Sequence, residues 1–288
     1  FAFDPDRVVP LNGIVNGMTV DGPITNGTNK IPVKASFVNS IPWSRDLTNA
    51  AWTEGGTAVA AFDAIGLEGV AITASTLTDD DGAAFETVLE DITIIDNSDT
   101  HTVRIFIFKD SDETRFPRFD LLMLGGTVQS INLQINTQTG ASSVIGSTGT
   151  VAHEVNDDRL WWEVLLSVAN NTTGNLSSRT IIYAAGGTVI GSSSAAATGS
   201  IIVGNVELHL NKTIAQVRGS TPIFTIAGST VALVAGDYME VKDQYFQLQR
   251  DLEIGPEGTG EAIVWPAVRS TLANDEDVIT NNPKMVAR

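Results

Sequence analysis

Leu160-Trp-Trp-Glu-Val-Leu-Leu-Ser-Val168 decides the fold. Alternate residues of this run, Leu160, Trp162, Val164, Leu166 and Val168, share one apolar face, while Trp161, Glu163 and Ser167 share the other. A period of two is the signature of a β-strand that packs one face on a core. Working outward, Val103-Arg-Ile-Phe-Ile-Phe108 is β-branched and aromatic throughout, so it is expected between two covered faces. Ile131-Asn-Leu-Gln-Ile135 alternates strictly and turns Ile131, Leu133 and Ile135 inward. Ile201–Leu210 reads as a long strand whose Glu207 and His209 face away from Val206 and Leu208.

Helical periodicity is nearly absent, and Gly, Thr, Ser and Asn punctuate the chain roughly every 8–12 residues, the spacing of strands in sandwiches and barrels. The fold class is therefore all-β. Two shifts in texture suggest boundaries. Residues 1–34 are turn-rich, with Asn-Gly at 12–13, 16–17 and 26–27 and prolines at 5, 10, 23 and 32. A second texture begins near Phe37, holds four of the five tryptophans and all three histidines, and runs to about Ala215. After Thr221-Pro222 the strands become short and the turns acidic. The Gly/Ser/Ala-rich stretch Gly186–Ser200 lies between strong strands and reads as a loop. The simplest architecture is a β-sandwich over 37–215 inserted into a small split β-barrel-like domain made of 1–36 and 216–288. No internal repeat is visible.

The 288 residues are 42% hydrophobic, ample for a core in each domain. Seventeen Lys and Arg against 34 Asp and Glu leave a formal charge of −17. Such a surface repels a phosphate backbone, so nucleic acid is excluded as a partner. It suits solubility and carboxylate-bound cations. The absence of cysteine excludes disulfides, thiolate catalysis and Cys-zinc sites. No apolar run approaches the ~20 residues of a membrane span, so no membrane insertion is expected. No charged-then-apolar leader stands at the N-terminus. The Asn-x-Ser/Thr sequons at Asn26, Asn170, Asn171, Asn175 and Asn211 are what a chain rich in Asn and Thr produces by chance.

Two regions carry a resemblance. One comprises Asn39-Ser, Leu47-Thr-Asn-Ala-Ala-Trp52, Gly69-Val-Ala-Ile-Thr-Ala-Ser-Thr-Leu-Thr-Asp79, Phe106-Ile-Phe-Lys-Asp110, Asn136-Thr-Gln-Thr-Gly140, Asp158-Arg-Leu-Trp-Trp162 and the late strand Ile201–Leu210. Together these resemble the concanavalin-like, jelly-roll β-sandwich domains of bacteriophage tail and tail-fibre proteins. The resemblance implies that the tryptophans of the first and penultimate motifs are core residues. The second region, 228–288, is similar to the end of a group of phage tail structural proteins. Its recurring elements are Gly236-Asp237-Tyr238, Pro266-Ala-Val-Arg269 and Asn282-Pro283-Lys284, which the resemblance makes an assembly interface. Phe1-Ala-Phe-Asp-Pro5 is similar to an internal segment of the same proteins, so a longer N-terminal region is expected to be missing or to be a separate chain.

Candidate chemistry is sparse. A retaining glycosidase needs two carboxyl groups about 5–5.5 Å apart. The Glu-x-Asp-x-x-Glu spacing of glucanases with this fold is absent, and the core strands offer single acids, Glu163 and Glu207, on the solvent side of a sheet. Asp79-Asp80-Asp81 before Gly82 is the best calcium candidate, since calcium collects carboxylates and carbonyls from one loop. A plain solvated turn gives the same letters. Asp110 and Asp112 form a second acidic turn. His101, His153 and His209 fit no zinc spacing and read as exposed or hydrogen-bonded strand residues. No Gly-x-Ser-x-Gly elbow and no P-loop is present. For ligand binding there remain Trp161, Trp43 in the loop Ile41-Pro-Trp-Ser, and Arg118 within Phe116-Pro-Arg-Phe119. An exposed ring can stack on a pyranose or pack under a neighbouring loop, and the arginine offers a planar donor fork.

The expectation is a non-enzymatic structural protein of a tailed-phage virion, in the tail or its tip. Its small domain docks to other phage tail proteins, and its sandwich projects outward, with host-surface glycan as a possible contact. A homo-oligomer, trimer or hexamer, is expected by analogy. No cofactor is expected beyond a structural calcium ion at Asp79–Asp81. The alternative is a secreted carbohydrate-active enzyme, glycoside hydrolase or lyase, on a jelly-roll scaffold. A surface adhesin is a third option and predicts an anchoring signal.

Overall fold

The computed structural model describes residues 19–20, 22–34, 38–67, 69–218, 224–226, 229–233, 237–255, 259–273, 276 and 278–279. The chain is nearly all β, with antiparallel sheets. In chain order the strands are β1 (Thr19–Val20), β2 (Lys30–Lys34), β3 (Thr53–Gly55), β4 (Val59–Ile65), β5 (Ala71–Asp79), β6 (Thr87–Thr93), β7 (Thr100–Phe108), β8 (Arg118–Leu124), β9 (Gln129–Ile135), β10 (Ser142–Thr148) and β11 (Val151–Asp158). There follow β12 (Trp161–Ala169), β13 (Ser177–Tyr183), β14 (Gly199–His209), the short helix α1 (Ile214–Val217), β15 (Phe224–Ile226), β16 (Ser229–Leu233), β17 (Tyr238–Val241), β18 (Gln244–Leu248), β19 (Leu252–Ile254), β20 (Thr259–Trp265) and β21 (Val278–Ile279). The chain divides into two compact units: Ser40–Arg218, and Phe1–Asn39 with Gly219–Arg288.

The larger unit is a sandwich of two six-stranded antiparallel sheets, ordered β10-β9-β8-β13-β6-β3 and β11-β12-β7-β14-β5-β4. Most connections pass from one sheet to the other, as in a jelly roll. Strand alternation sets the core. Trp162, Val164, Leu166 and Val168 of β12 meet Val103, Ile105 and Ile107 of β7 and the inner residues of the opposite sheet, Phe119, Leu121, Ile131 and Leu133. At roughly 25 cal/mol per Å² of apolar surface, this burial is the main stabilising term. β7 is covered on both faces, for every residue from His101 to Ile107 is buried.

Adjacent tryptophans on opposite faces each rest on a glycine. Gly140 has a φ of +74°, and a Cβ there would stand 2.6 Å from the Trp162 ring. The turn Asn136–Gly140 therefore folds onto that ring, and Trp162 Nε1 donates to the Thr137 carbonyl at 2.7 Å. A Cβ on Gly204 would meet the Trp161 ring at 2.6 Å.

The smaller unit carries one sheet with the path β15-β16-β19-β20-β18-β17-β21, and β2, itself paired with β1, also adds to β20. Its core collects Ile31, Met239, Val241, Phe246, Leu248, Leu252, Ala262 and Val264. β2 and β20 pair through five consecutive positions, Lys30↔Ile263 to Lys34↔Thr259, so the two chain ends build one sheet.

Candidate functional site

The most highly charged interior lies on the outer face of the second sheet. Arg104 on β7 is fully buried. Its register partner on β14 is Glu207, and β12 on its other side contributes Glu163. The guanidinium donates through Nε (3.0 Å) and Nη2 (2.7 Å) to Oε2 of Glu207, and Nη1 lies 3.5 Å from Oε1 of Glu163. The remaining carboxylate oxygens are also used. Asn205 Nδ2 donates to Glu207 Oε1 at 2.7 Å, and Asn156 Nδ2 donates to Glu163 Oε2 at 3.0 Å. His209 Nε2 lies 2.7 Å from Glu207 Oε2.

Helix α1 closes this face. Gln216 Oε1 accepts the Thr213 backbone N–H at 2.9 Å, and the Val217 carbonyl accepts from Arg104 Nη1 at 3.3 Å. Ile214 and Val217 pack on Leu165. Burial raises the Glu163 pKa above its ordinary value, and the Arg104 charge opposes that only in part. Burial lowers the His209 pKa against the pull of Glu207.

The expected solvent-facing Glu163 and Glu207 are therefore buried, with 9% and 0% exposure. The structure brings them to one cluster, but as clients of a shared arginine. β7 stands between their strands, so their backbones are two strand spacings apart, roughly 9–10 Å. The positive charge between them offsets their like-charge repulsion, and burial is the largest cause of the rise at Glu163.

The expected calcium turn is organised differently. Asp79 is buried, Asp80 exposed and Asp81 half-buried. Their centre is Glu86, whose Oε2 accepts the backbone N–H of Asp80 (2.6 Å) and of Asp81 (3.3 Å), and whose Oε1 accepts from Thr57. Backbone N–H groups, not carbonyls, thus point into the turn, which suits a carboxylate rather than a cation. The bond from Thr57 holds the Glu86 pKa down, while burial pushes Asp79 up to about 6. Among the described residues no group of three Asp, Glu or His side chains is placed to hold a metal ion. Asp110 and Asp112 of the second acidic turn pair with Arg115.

The residues expected to bind ligand are largely engaged. Trp161 is 5% exposed and lies in an apolar cluster with Ala74 and Phe106, edge-on to Phe108 at 5.3 Å. Its expected open ring is packed, because Phe106 and Phe108 alternate onto the same outer face. Arg118 forks onto Asp120, Nε to Oδ1 at 2.7 Å and Nη2 to Oδ2 at 2.6 Å, and stacks 4.5 Å from the Tyr183 ring centroid. Trp43 is half-buried in its loop, and its carbonyl accepts from Trp52 Nε1 at 3.1 Å. His153 is exposed, whereas His101 is buried on the core face, and burial lowers its pKa.

Of the expected assembly residues, Gly236, Asn282, Pro283 and Lys284 lie outside the described residues. The Asp237 carbonyl accepts the Leu248 N–H at 2.8 Å, and the Arg269 N–H donates to Gln244 Oε1 at 2.7 Å. Pro266 is half-buried, and Tyr238 is 40% exposed. Missed by sequence reasoning is Trp265, 64% exposed at the end of β20, the strand whose Glu261 lines a polar pocket of about 600 Å³ with Gln249, Arg250, Asp251 and Glu253. The signal was available: Glu261-Ala-Ile-Val-Trp265 alternates, and Ala262 and Val264 as the core face leave Trp265 outside.

No protein-family model matches the chain, and no curated protein matches it. Among solved structures it is similar to the enzymatically active domain of tailspike protein 4 of bacteriophage CBA120, at 15% identity and a TM-score of 0.38. That likeness covers 60% of this chain and 21% of the tailspike chain, so the chain spans about a fifth of it. It is also similar to a carbohydrate-binding module of the β-sandwich superfamily, at 12% identity and a TM-score of 0.32, covering 62% of this chain and 72% of the module.

Proposed function

We propose that the chain is a structural, non-enzymatic component of a tailed-phage virion, in the tail or its tip, that works by binding. The observation that carries the non-enzymatic part is the Arg104 clamp. The two acids best placed for sugar chemistry are buried and paired with one arginine. A general acid must reach the oxygen it protonates, and a nucleophile must reach carbon. The tail assignment rests on the resemblance of the motifs from Asn39 to Leu210 and from Gly236 to Lys284. In this reading the smaller unit docks to other tail subunits as part of a trimeric or hexameric ring. The sandwich contacts the exterior, and host-surface glycan is the ligand class.

Gold-labelled antibody against the chain, imaged on intact particles, is expected to decorate the tail or its tip. Absence of the chain from particles would sink the assignment. Incubation with bacterial polysaccharides is expected to release no new reducing ends and no unsaturated uronate. Release that disappears in Glu163→Gln or Glu207→Gln would establish the carbohydrate-active enzyme instead.

A further inference from the structure

Among the described residues, the exposed aromatic groups Tyr238 and Trp265 lie in the smaller unit rather than where a sugar site was expected in the sandwich. Tyr238 on β17 pairs with Gln247 on β18, and Gln247 pairs with Trp265 on β20. Directly opposed residues share a face. Their neighbours Met239, Phe246, Leu248 and Val264 fill the core, so this row of three points outward. Two strand spacings separate Tyr238 from Trp265, about 10 Å, a span that successive pyranose rings can cover.

The same face continues along β20. Ile263 follows Trp265 and then Glu261, and the backbone bond from Gln249 N–H to the Ile263 carbonyl (2.8 Å) keeps the β18 side in line. There the surface deepens into the pocket of Gln249, Arg250, Asp251, Glu253 and Glu261. Lys30 borders it through a 3.1 Å ion pair with Glu261.

We infer that this strip and pocket form a binding site for a neutral oligosaccharide. The aromatic rings suit the C–H faces of sugar rings, which are apolar and flat. The pocket lining suits hydroxyls, which donate to the three carboxylates and accept from Gln249 and Arg250. Three acids against one arginine and the bordering Lys30, on a chain of net charge −17, disfavour an acidic glycan or an acidic peptide. An apolar ligand would leave the pocket's polar groups unpaired. The inference rests on the glycan ligand class of the proposed function, moves that contact from the sandwich to the smaller unit, and does not depend on the tail location.

The test is an array of neutral, sialylated and uronic-acid oligosaccharides probed with the purified full chain, followed by titration calorimetry with the best neutral ligand. Binding to neutral glycans is expected, weakened tenfold or more by Trp265→Ala and by Tyr238→Ala. Trp265→Phe should keep affinity within a few fold, and Trp43→Ala in the sandwich should leave it unchanged. Because Trp265 is exposed, the alanine variant should keep the wild-type melting curve. Binding confined to acidic glycans, no binding at all, or affinity lost through Trp43 and kept in Trp265→Ala would each overturn the inference. So would a Trp265→Ala variant whose only defect is loss of protein–protein assembly. Gold labelling of particles reads the tail location separately, so either conclusion can fail alone.

Discussion

Glu90 shows how much one side chain can hide in a strand. On β6 it shares a face with Val88 and Ile92, and Val88 lies in the sandwich core. Its register partner on β13 is Thr180, and both Thr180 Oγ1 and Ser178 Oγ are buried with no hydrogen-bond partner. Burial pushes the Glu90 pKa from 4.5 to about 7, and the Asp91 charge adds to the rise. The folded state therefore holds the neutral acid. Its stabilisation is complete below the ordinary pKa and is lost as pH rises through about 7. Urea unfolding of Glu90→Gln should match wild type near pH 4.5 and exceed it at pH 8, by on the order of 3 kcal/mol. Equal slopes of stability against pH in the two proteins would show that Glu90 is ionised in the fold. Asp79 acts with the same sign through about pH 6. His101 and His209, lowered by burial, act with the opposite sign and lose stability as pH falls below 6.5. None of this was legible in Thr87-Val-Leu-Glu-Asp-Ile-Thr93, because an acid on a core face is spelled like an acid on a wet one.

At the scale of elements, the strands were legible and their coverings were not. Alternation in Leu160–Val168 placed Trp162 inward and Glu163 outward, and both placements hold. What lies over the outer face depends on α1, and Thr213-Ile-Ala-Gln-Val217 is too short to show a helical period. The cluster under α1 makes a clear prediction. Arg104→Met leaves two buried acids uncompensated and should cost about 3–5 kcal/mol in chemical denaturation. Adding Glu207→Leu should recover a large part of that loss, because the stranded charge goes with its partner. A double variant as unstable as the single one would mean that Arg104 acts by packing on Phe106, 5.5 Å from its ring centroid, rather than by charge. Gly140 sets a second test. Gly140→Ala demands a left-handed backbone of a side-chain residue and drives its Cβ into Trp162, so a loss of roughly 1–3 kcal/mol is expected in a thermal melt.

At the scale of the whole molecule, each unit has its own core and its own hydrogen-bonded sheets. Residues 40–218 expressed alone should therefore fold and melt in one cooperative transition, with the near-ultraviolet signal of the packed Trp161 and Trp162. A molten state with no such signal would show that the sandwich depends on the rest of the chain. The smaller unit faces a harder problem, since β2 must find β20 across the whole insertion. Closing an unstructured loop of that length costs about 5 kcal/mol by the logarithmic rule.

The sandwich receives its chain beside its own last strand: the Ser40 N–H donates to the Leu208 carbonyl at 2.9 Å, and β14 ends one residue later. A segment that enters next to the strand by which it leaves is a cassette. Recombination can exchange it for another of different length and sequence, and the flanking halves still meet. Variation in the sandwich can then be inherited in a single genetic step, with the two coding halves of the smaller unit untouched.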